Sequence, residues 1–401
     1  MTSPAACRVC TASALVPVLD LGAQPPANAL NEGRRYPLTL WHCEECGLLQ
    51  IGETLPREDL FSHYVWVTGT SSTARAFAQR FCDMAMEKFT LPAGARVVEI
   101  ASNDGTFLQP FADKGCKCLG IDPAENIAAT ARKGGLEIWT RFWDEATARD
   151  LVEHHERVDF VFARNVIAHA SDLRGFAAGL ALLLRGGGVG AVEFHWAEHI
   201  LRGLQYDSIY HEHLCYFSLR SVTRLLEHHG LQVISVEESP ISGGALIVYF
   251  SASGQPDTSV ARTHEIESAS RLGDSATWRA FGERCRQHAA ACRRLISDSA
   301  LQPIVGYGSS ARSNTFLNFL GLNTSDLTAI IDNNSAKQGR HAPGSGIPIV
   351  SEVEGLAMRP RSIFCLAWNF HEELLARCQA AGFRGNWITA FPGEPHIRTL
   401  P

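Results

Sequence analysis

Four cysteines stand as two close pairs, Cys7 with Cys10 and Cys43 with Cys46. Two C-x2-C pairs supply four thiolates, enough to close a tetrahedral shell around Zn2+, each pair held in a tight turn. Gly47 directly after Cys46 suits such a turn. The 32 residues between the pairs exceed the ~15 to 20 of the commonest zinc-ribbon spacing, so an insertion is expected between the two knuckles. Disulfides are the competing reading and are rare in a reducing cytosol. The other eight cysteines, at 82, 116, 118, 215, 285, 292, 365 and 378, read as small buried hydrophobes.

A second concentration of chemistry is Tyr206-Asp207-Ser208-Ile209-Tyr210-His211-Glu212-His213-Leu214, preceded by His195 and His199. His195 and His199 are four apart, yet the segment is not H-E-x-x-H. His211 and His213 would point to opposite faces of an extended chain. Metal ligation is therefore the weaker reading. Acid/base work is the stronger one, since a histidine near neutrality can take a proton from a carbon next to a ketone, with Glu212 or Tyr210 orienting or polarising. The residue types leave open which histidine is the base, and one of the pair can be purely structural.

Two loops carry cofactor chemistry. After one apolar run comes Val98-Glu99-Ile100-Ala101-Ser102-Asn103-Asp104-Gly105, and after the next Gly120-Ile121-Asp122-Pro123. An acidic residue ending the second strand can take both ribose hydroxyls, and a turn of small residues lets backbone approach the ligand. Glu99 and Asn103-Asp104 disfavour a diphosphate at this turn and suit S-adenosylmethionine (SAM). Further on, Gly306-Tyr307-Gly308-Ser309-Ser310-Ala311 satisfies G-x-G-x-x-A, with Asp332 ending the following strand. That loop supports a rival NAD-dependent oxidoreductase. The same backbone amides would equally hold a nucleotide-sugar diphosphate, with Arg312 and Arg340 as countercharges.

The elements that must carry these residues follow from periodicity. Residues 1–70 are rich in Pro, Gly and Cys and short of helical pattern, as in a small metal-stapled module. An amphipathic helix is expected over 71–89. Apolar strands at 96–101, 117–122, 136–140, 158–164 and 188–195 alternate with helices, the arithmetic of a parallel doubly wound sheet. A helix at 218–229 and strands at 231–237 and 245–251 complete it. A turn-rich linker at 253–257 leads into one long helical connector over 260–297. Strands at 304–307, 328–331 and 362–367 then form a second, smaller α/β unit. The expected domains are a zinc-binding module (1–70), a Rossmann-like SAM domain (71–252) and a second Rossmann-like α/β domain (253–401).

The chain has 401 residues, 45% of them apolar, with 36 basic against 42 acidic side chains and a formal net charge of -6. Length alone points to two or three domains. No apolar run approaches the ~18 residues of a membrane helix, and the N-terminus lacks the basic-then-apolar pattern of a secretory signal, so a cytoplasmic protein without a membrane partner is expected. The acidic balance and absence of Lys/Arg tracts argue against nucleic acid, which disfavours a zinc-ribbon adaptor. A catalytically dead nucleotide-sugar binder remains a further alternative.

Taken in order, these motifs resemble the sugar C-methyltransferases of deoxysugar and antibiotic biosynthesis over nearly the whole chain. The matches are the four cysteines; Tyr64-Val65-Trp66-Val67-Thr68-Gly69-Thr70-Ser71; the loop at 99–105; Asn165-Val166-Ile167-Ala168-His169; and residues 210–218. In the last domain they are the Gly306 loop, Asn318-Phe319-Leu320-Gly321, Lys337-Gln338-Gly339, Pro343-Gly344 and Ala367-Trp368-Asn369-Phe370. The resemblance implies methyl transfer from SAM, leaving S-adenosylhomocysteine, to a ring carbon, C-3, of a dTDP-4-keto-deoxyhexose through an enolate, in a monomeric enzyme with structural zinc. It implies His213 as base, Tyr210 and Glu212 as polarising or orienting groups, and Tyr64 and His169 in the same pocket. Glu99, Ala101, Ser102, Asn103, Gly105, Asp122, Pro123 and Asn165 would hold SAM. Gly308, Arg312, Asn314, Lys337 and Arg340 would hold the nucleotide sugar. The sequence departs from the family at Ala101, where the relatives' loop has its first glycine, and at Thr68-Gly69-Thr70.

Overall fold

The computed structural model describes residues 4–30, 34–52, 54–56, 60, 67–154, 157–239 and 243–401. Near the N-terminus, β1 (Leu15–Gln24) and β2 (Tyr36–Cys43) pair antiparallel, and β3 (Leu49–Ile51) adds to β2. The first two strands are the insertion between the knuckles. Sequence reading missed them because their apolar faces are short and broken by bulges. Gly47, at φ +78°, closes the second knuckle with its N–H on the Cys43 carbonyl at 2.9 Å, a left-handed conformation that glycine adopts without strain.

The central sheet starts with five parallel strands, β4 (Arg96–Ile100), β5 (Lys117–Ile121), β6 (Glu137–Trp139), β7 (Phe160–Arg164) and β8 (Val189–His195). All five fall where the apolar runs predict them. A two-residue strand, β9 (Cys215–Tyr216), leaves this sheet and pairs with β3, so the N-terminal sheet runs β1-β2-β3-β9. The chain then returns through β10 (Gln232–Ser239) and β11 (Ala245–Ser251), an antiparallel pair of which β11 lies against β8. The resulting order is β10-β11-β8-β7-β4-β5-β6. Its direction of growth reverses between β4 and β7, and a doubly wound sheet binds its ligand at the strand C-termini beside such a reversal.

The helix Ser72–Lys88 begins where Ser71 caps the Ala74 N–H and buries Phe77, Ala78, Phe81, Cys82 and Ala85, the i, i+4 spacing of one helical face. Phe81 meets Phe162 of β7 edge-on at 5.2 Å. Each such buried ring contributes on the order of 2 to 3 kcal/mol, which fixes the helix over the sheet that carries the cofactor loop.

The expected single connector is two helices, Thr258–Ala269 and Ser275–Ile296. The break falls where Arg271 takes φ +54° and Asp274 caps the second helix by accepting from the Ala276 N–H. A continuous helical periodicity does not reveal a cap in mid-pattern. Glu267 of the first helix is buried and accepts from Trp196 Nε1 at 2.7 Å and from the Leu219 and Arg220 amides. Its charge sits at the positive end of the helix Leu219–Glu227. The second helix places His288 between the Tyr206 hydroxyl (2.9 Å) and the Ala390 carbonyl (2.8 Å).

The last sheet holds β12 (Ile304–Tyr307), β13 (Ala329–Ile331), β14 (Ile349–Val350), β15 (Ser362–Cys365), β16 (Gly385–Thr389) and β17 (His396–Leu400), in the order β14-β13-β12-β15-β16-β17. All pair parallel except β17, an antiparallel edge. No helix among the described residues is long and apolar enough to cross a membrane.

Candidate active site

A cavity of about 800 Å3 opens at the C-terminal ends of β4, β5, β7 and β8 and is closed on its far side by the last α/β unit. That volume lies within the range of small-molecule sites. One half is built from the loops after β4 and β5, and Glu99, Ala101, Ser102, Asn103, Asp122, Pro123 and Asn165 all line it. Gly105 does not reach the cavity. It shapes the turn from behind: φ is +78°, and a Cβ would stand 2.4 Å from Leu136 Cδ1. Ala101 and Asn103 also take left-handed φ values of +57° and +51°.

Among the described residues, this half presents polar groups without protein partners. Glu99 is 3% exposed with Oε2 unbonded, and the buried Ser102 hydroxyl is unbonded too. Burial pushes the Glu99 carboxyl well above its ordinary range, against the pull of Arg164. Arg164 ends β7, pairs with the buried Glu193 of β8, and lays its guanidinium 3.3 Å over the Phe107 ring. Unsatisfied buried polar atoms are costly, so these groups fit a ligand carrying its own donors, as SAM does through its amino group and ribose. Asp122 accepts from the Asn103 and Ala124 amides at 2.8 and 2.9 Å and lines the cavity, where a carboxylate suits ribose hydroxyls. The side chains of Asn103 and Asp104 accept from the Thr68 and Gly69 amides, both at 2.9 Å. The loop after β4 thus holds the Thr68–Gly69 backbone beside the cavity.

The other half holds the histidine segment. Tyr210, Glu212, His213 and His169 line it; Tyr64 lies outside the described residues. The Tyr210 hydroxyl is 2.8 Å from His213 Nε2, and the two rings stack at 4.2 Å. Burial, then the neighbouring His169, His195 and Arg312, hold His213 well below its usual pKa, so it is a neutral proton acceptor at neutral pH. His169 Nδ1 donates to the Glu212 carbonyl at 2.5 Å. Burial lifts the Glu212 carboxyl to about 7, and Asn28 donates to both its oxygens, at 2.8 and 2.7 Å. His211 faces away, donating through Nε2 to the Pro37 carbonyl of β2. The two histidines part through a turn, with the His213 amide on the Tyr210 carbonyl at 3.0 Å, and not through the alternation of an extended chain.

The last α/β unit brings Ser310, Ala311, Arg312 and Lys337 to the cavity. Of the five residues expected to hold a nucleotide sugar, only Arg312 and Lys337 reach it. Gly308 packs under Ala367. Asn314 is buried and donates to the Ala27 carbonyl at 2.8 Å, fastening the N-terminal module. Arg340 is exposed and does not line the cavity. Arg312 is also not a free cation: it makes two 2.9 Å bonds to Asp207, which in turn accepts from Trp368 Nε1 at 2.8 Å. Asp332, the ribose partner of the oxidoreductase alternative, does not line the cavity. It accepts from the Ser309 amide at 2.9 Å and pairs with Lys337 at 3.4 Å.

Sequence reading missed Asn28, Phe142, Trp143 and Arg164 as cavity residues, and it named His195 and Trp368 without placing them in the site. Residues 142–143, an aromatic pair after an expected strand, and Arg164, a cation ending an apolar strand, carried a signal. Asn28 carried none.

The four cysteines converge so that one sulfur of each lies within 4.8 Å of the others; among the described residues no other group of three or more His, Cys, Asp or Glu does so. The Cys7–Cys46 and Cys10–Cys43 sulfurs are 3.5 Å apart, and all are free thiols. Hydrogen bonds from Cys46 and Cys7 pull the Cys43 thiol well below its ordinary pKa. Zn–S bonds of about 2.3 Å place tetrahedral sulfurs just under 4 Å apart, so this donor set fits structural zinc with no open position.

Three family descriptions match in chain order: a zinc binding domain over residues 7–61, a methyltransferase domain over 74–236, and a C-methyltransferase C-terminal domain over 240–392. The C-methyltransferase NovU of Streptomyces niveus is 29% identical over 381 residues, covering 92% of this chain and 91% of its own. A ubiquinone biosynthesis O-methyltransferase of Bradyrhizobium sp. (strain ORS 278) is 32% identical over 128 residues, 28% of this chain and 49% of its own. Among solved structures, magnesium protoporphyrin IX methyltransferase from Synechocystis PCC 6803 with bound SAM aligns with 45% of this chain and 79% of its own, at 14% identity and a TM-score of 0.34.

Proposed function

We propose that this chain, which belongs to the SAM-dependent, zinc-containing sugar C-methyltransferase family, methylates C-3 of a dTDP-4-keto-deoxyhexose through an enolate, with His213 as the base. The observation that carries this reading is the Tyr210–His213 pair, opening on the same cavity as Glu99 and Asp122. Before substrate arrives, the phenol O–H donates to His213 Nε2. A ketone oxygen gives that hydroxyl a second acceptor, so Tyr210 polarises the carbonyl while the imidazole lone pair becomes available to the proton on the adjacent carbon. The C–H electron pair becomes the enolate and the proton goes to Nε2. SAM, when bound, supplies the electrophilic methyl group that this carbon takes.

Positioning falls to the neighbours. His169 steers the backbone of Glu212 through its carbonyl, and Asn28 holds the Glu212 carboxylate beside the base. Around the far wall, the N-terminus of the helix Ala311–Leu320 with Lys337 offers amides and a cation to a nucleotide diphosphate. Domain division near residues 70 and 252, a monomeric state and a cytoplasmic location belong to the same proposal.

The test is mass spectrometry of a panel of dTDP-4-keto-6-deoxyhexoses incubated in deuterated water with and without SAM. The expected result is a SAM-dependent gain of one methyl group with label exchange next to the ketone. His213→Asn should keep SAM binding and lose at least ~100-fold in turnover, the scale of a general base. Methylation at C-5 would move the assigned carbon, and full activity of the variant would move the base to Tyr210 or His169.

A further inference from the structure

His195, at the end of β8, lines the cavity at 8% exposure and, beyond helping to hold His213 neutral, has no role assigned above. Its Nε2 is 2.8 Å from Gln205 Oε1. Two other contacts fix that amide's orientation: Gln205 Nε2 lies 3.1 Å from the Gly243 carbonyl, which only accepts, and Oε1 lies 3.3 Å from the Arg312 guanidinium, which only donates. Oε1 is therefore the atom facing His195, and the imidazole must carry its proton on Nε2. That leaves Nδ1 as a bare lone pair. It has no bonded partner among the described residues and is not sealed in protein, so it faces the cavity.

We propose that His195 Nδ1 accepts a hydrogen bond from a ring hydroxyl of the bound sugar and so selects among deoxysugars; this rests on the nucleotide-sugar reading above. A neutral hydroxyl is the donor that suits the site. The group behind the ring is an amide, which cannot stabilise an imidazolium as a carboxylate would, and Arg312 bonds the same amide oxygen. The site therefore opposes both full proton transfer to His195 and a cationic donor in front of it, and burial together with Arg312 holds this histidine well below its ordinary pKa. Gln205 is a positioning residue that acts through His195. A pocket acceptor left unpaired penalises a sugar lacking the hydroxyl, whereas an apolar wall would not discriminate.

The experiment measures kcat/KM for dTDP-4-keto-6-deoxyglucose and for its 2-deoxy and 3-deoxy congeners with the wild-type enzyme, His195→Phe and His195→Asn. Wild type should prefer the parent over one congener by ~10- to 100-fold, the cost of a buried acceptor left unmade. His195→Phe should bring that ratio to within about threefold, through KM of the parent more than through kcat. In His195→Asn, Oδ1 can stand near the place of Nδ1, so most of the preference should return. General damage to the fold would lower all three sugars together and leave the ratio alone. Equal wild-type use of all three sugars, or an unchanged ratio in His195→Phe, overturns the assignment. Methylation of none of them by wild type overturns the function beneath it.

Discussion

Glu212 and His213 are neighbours in sequence with opposite titration behaviour, and that separates their roles. His213 is held far enough below its usual pKa to stay neutral through the physiological range. Glu212 is lifted to about 7 by burial, so the ionisation seen near neutrality should belong to the carboxyl. Asn28 donates to both its oxygens, which favours the carboxylate, and kcat/KM should rise with pH through about 7. In Glu212→Gln that limb should vanish from the pH–rate profile; a limb that persists would assign it to another group. The folded state holds the Glu212 proton more tightly than the unfolded chain does. Stability should therefore fall as pH climbs from 4.5 to about 7, by about 3 kcal/mol, and the Gln variant should lose this slope in denaturant titrations. At this scale the sequence reveals residues that share a local segment, such as Tyr210, Glu212 and His213. Partners brought in from afar, such as Asn28, which is 184 positions from Glu212, are invisible without the fold.

Between elements, the tie that matters most is the one from the short turn at Tyr206–Ser208 to the helix Ala311–Leu320. Arg312, expected to face substrate phosphate, is occupied by buried Asp207 with two bonds, and it stacks on Trp368 at 4.8 Å. Removing one member of a buried pair strands the other, at a cost of about 3 to 5 kcal/mol. Arg312→Gln should lose stability on that scale, and adding Asp207→Asn should restore part of it. Additive losses in the double-mutant cycle would show that the pair is not coupled. Central strands were legible because their apolar runs are buried on both faces, as at Phe160-Val161-Phe162-Ala163. The strands of the N-terminal module, the break between Ala269 and Ser275, and the edge strand β17 were not. Bulged pairing, a cap inside a helical pattern and a solvent-facing edge each erase the periodicity that reading depends on.

Over the whole molecule, the metal module and the proposed catalytic segment share backbone. β9 follows His213 by two residues and pairs with β3, and the Ile51 amide donates to the Leu214 carbonyl at 3.0 Å. Sequence reading placed zinc and catalysis in separate domains because chain order separates them; the pairing of Leu49 with Tyr216 and Gln50 with Cys215 reunites them. Cys43→Ser or zinc chelation should therefore lower turnover at least tenfold while SAM still binds, since metal loss is folding loss in such a module. Hydrogen exchange should quicken at Ile51 and Cys215 together. Normal turnover in a zinc-free protein would show that the catalytic segment stands without the module. This shared sheet also sets the terms for recombination. A chimera cut at the chain boundary near residue 70 would give a foreign β3 to a native β9 and part Asn28 from Glu212. The heritable unit is thus discontinuous, the N-terminal module together with the loop that carries His213, and a crossover between relatives would have to exchange both at once to keep a working enzyme.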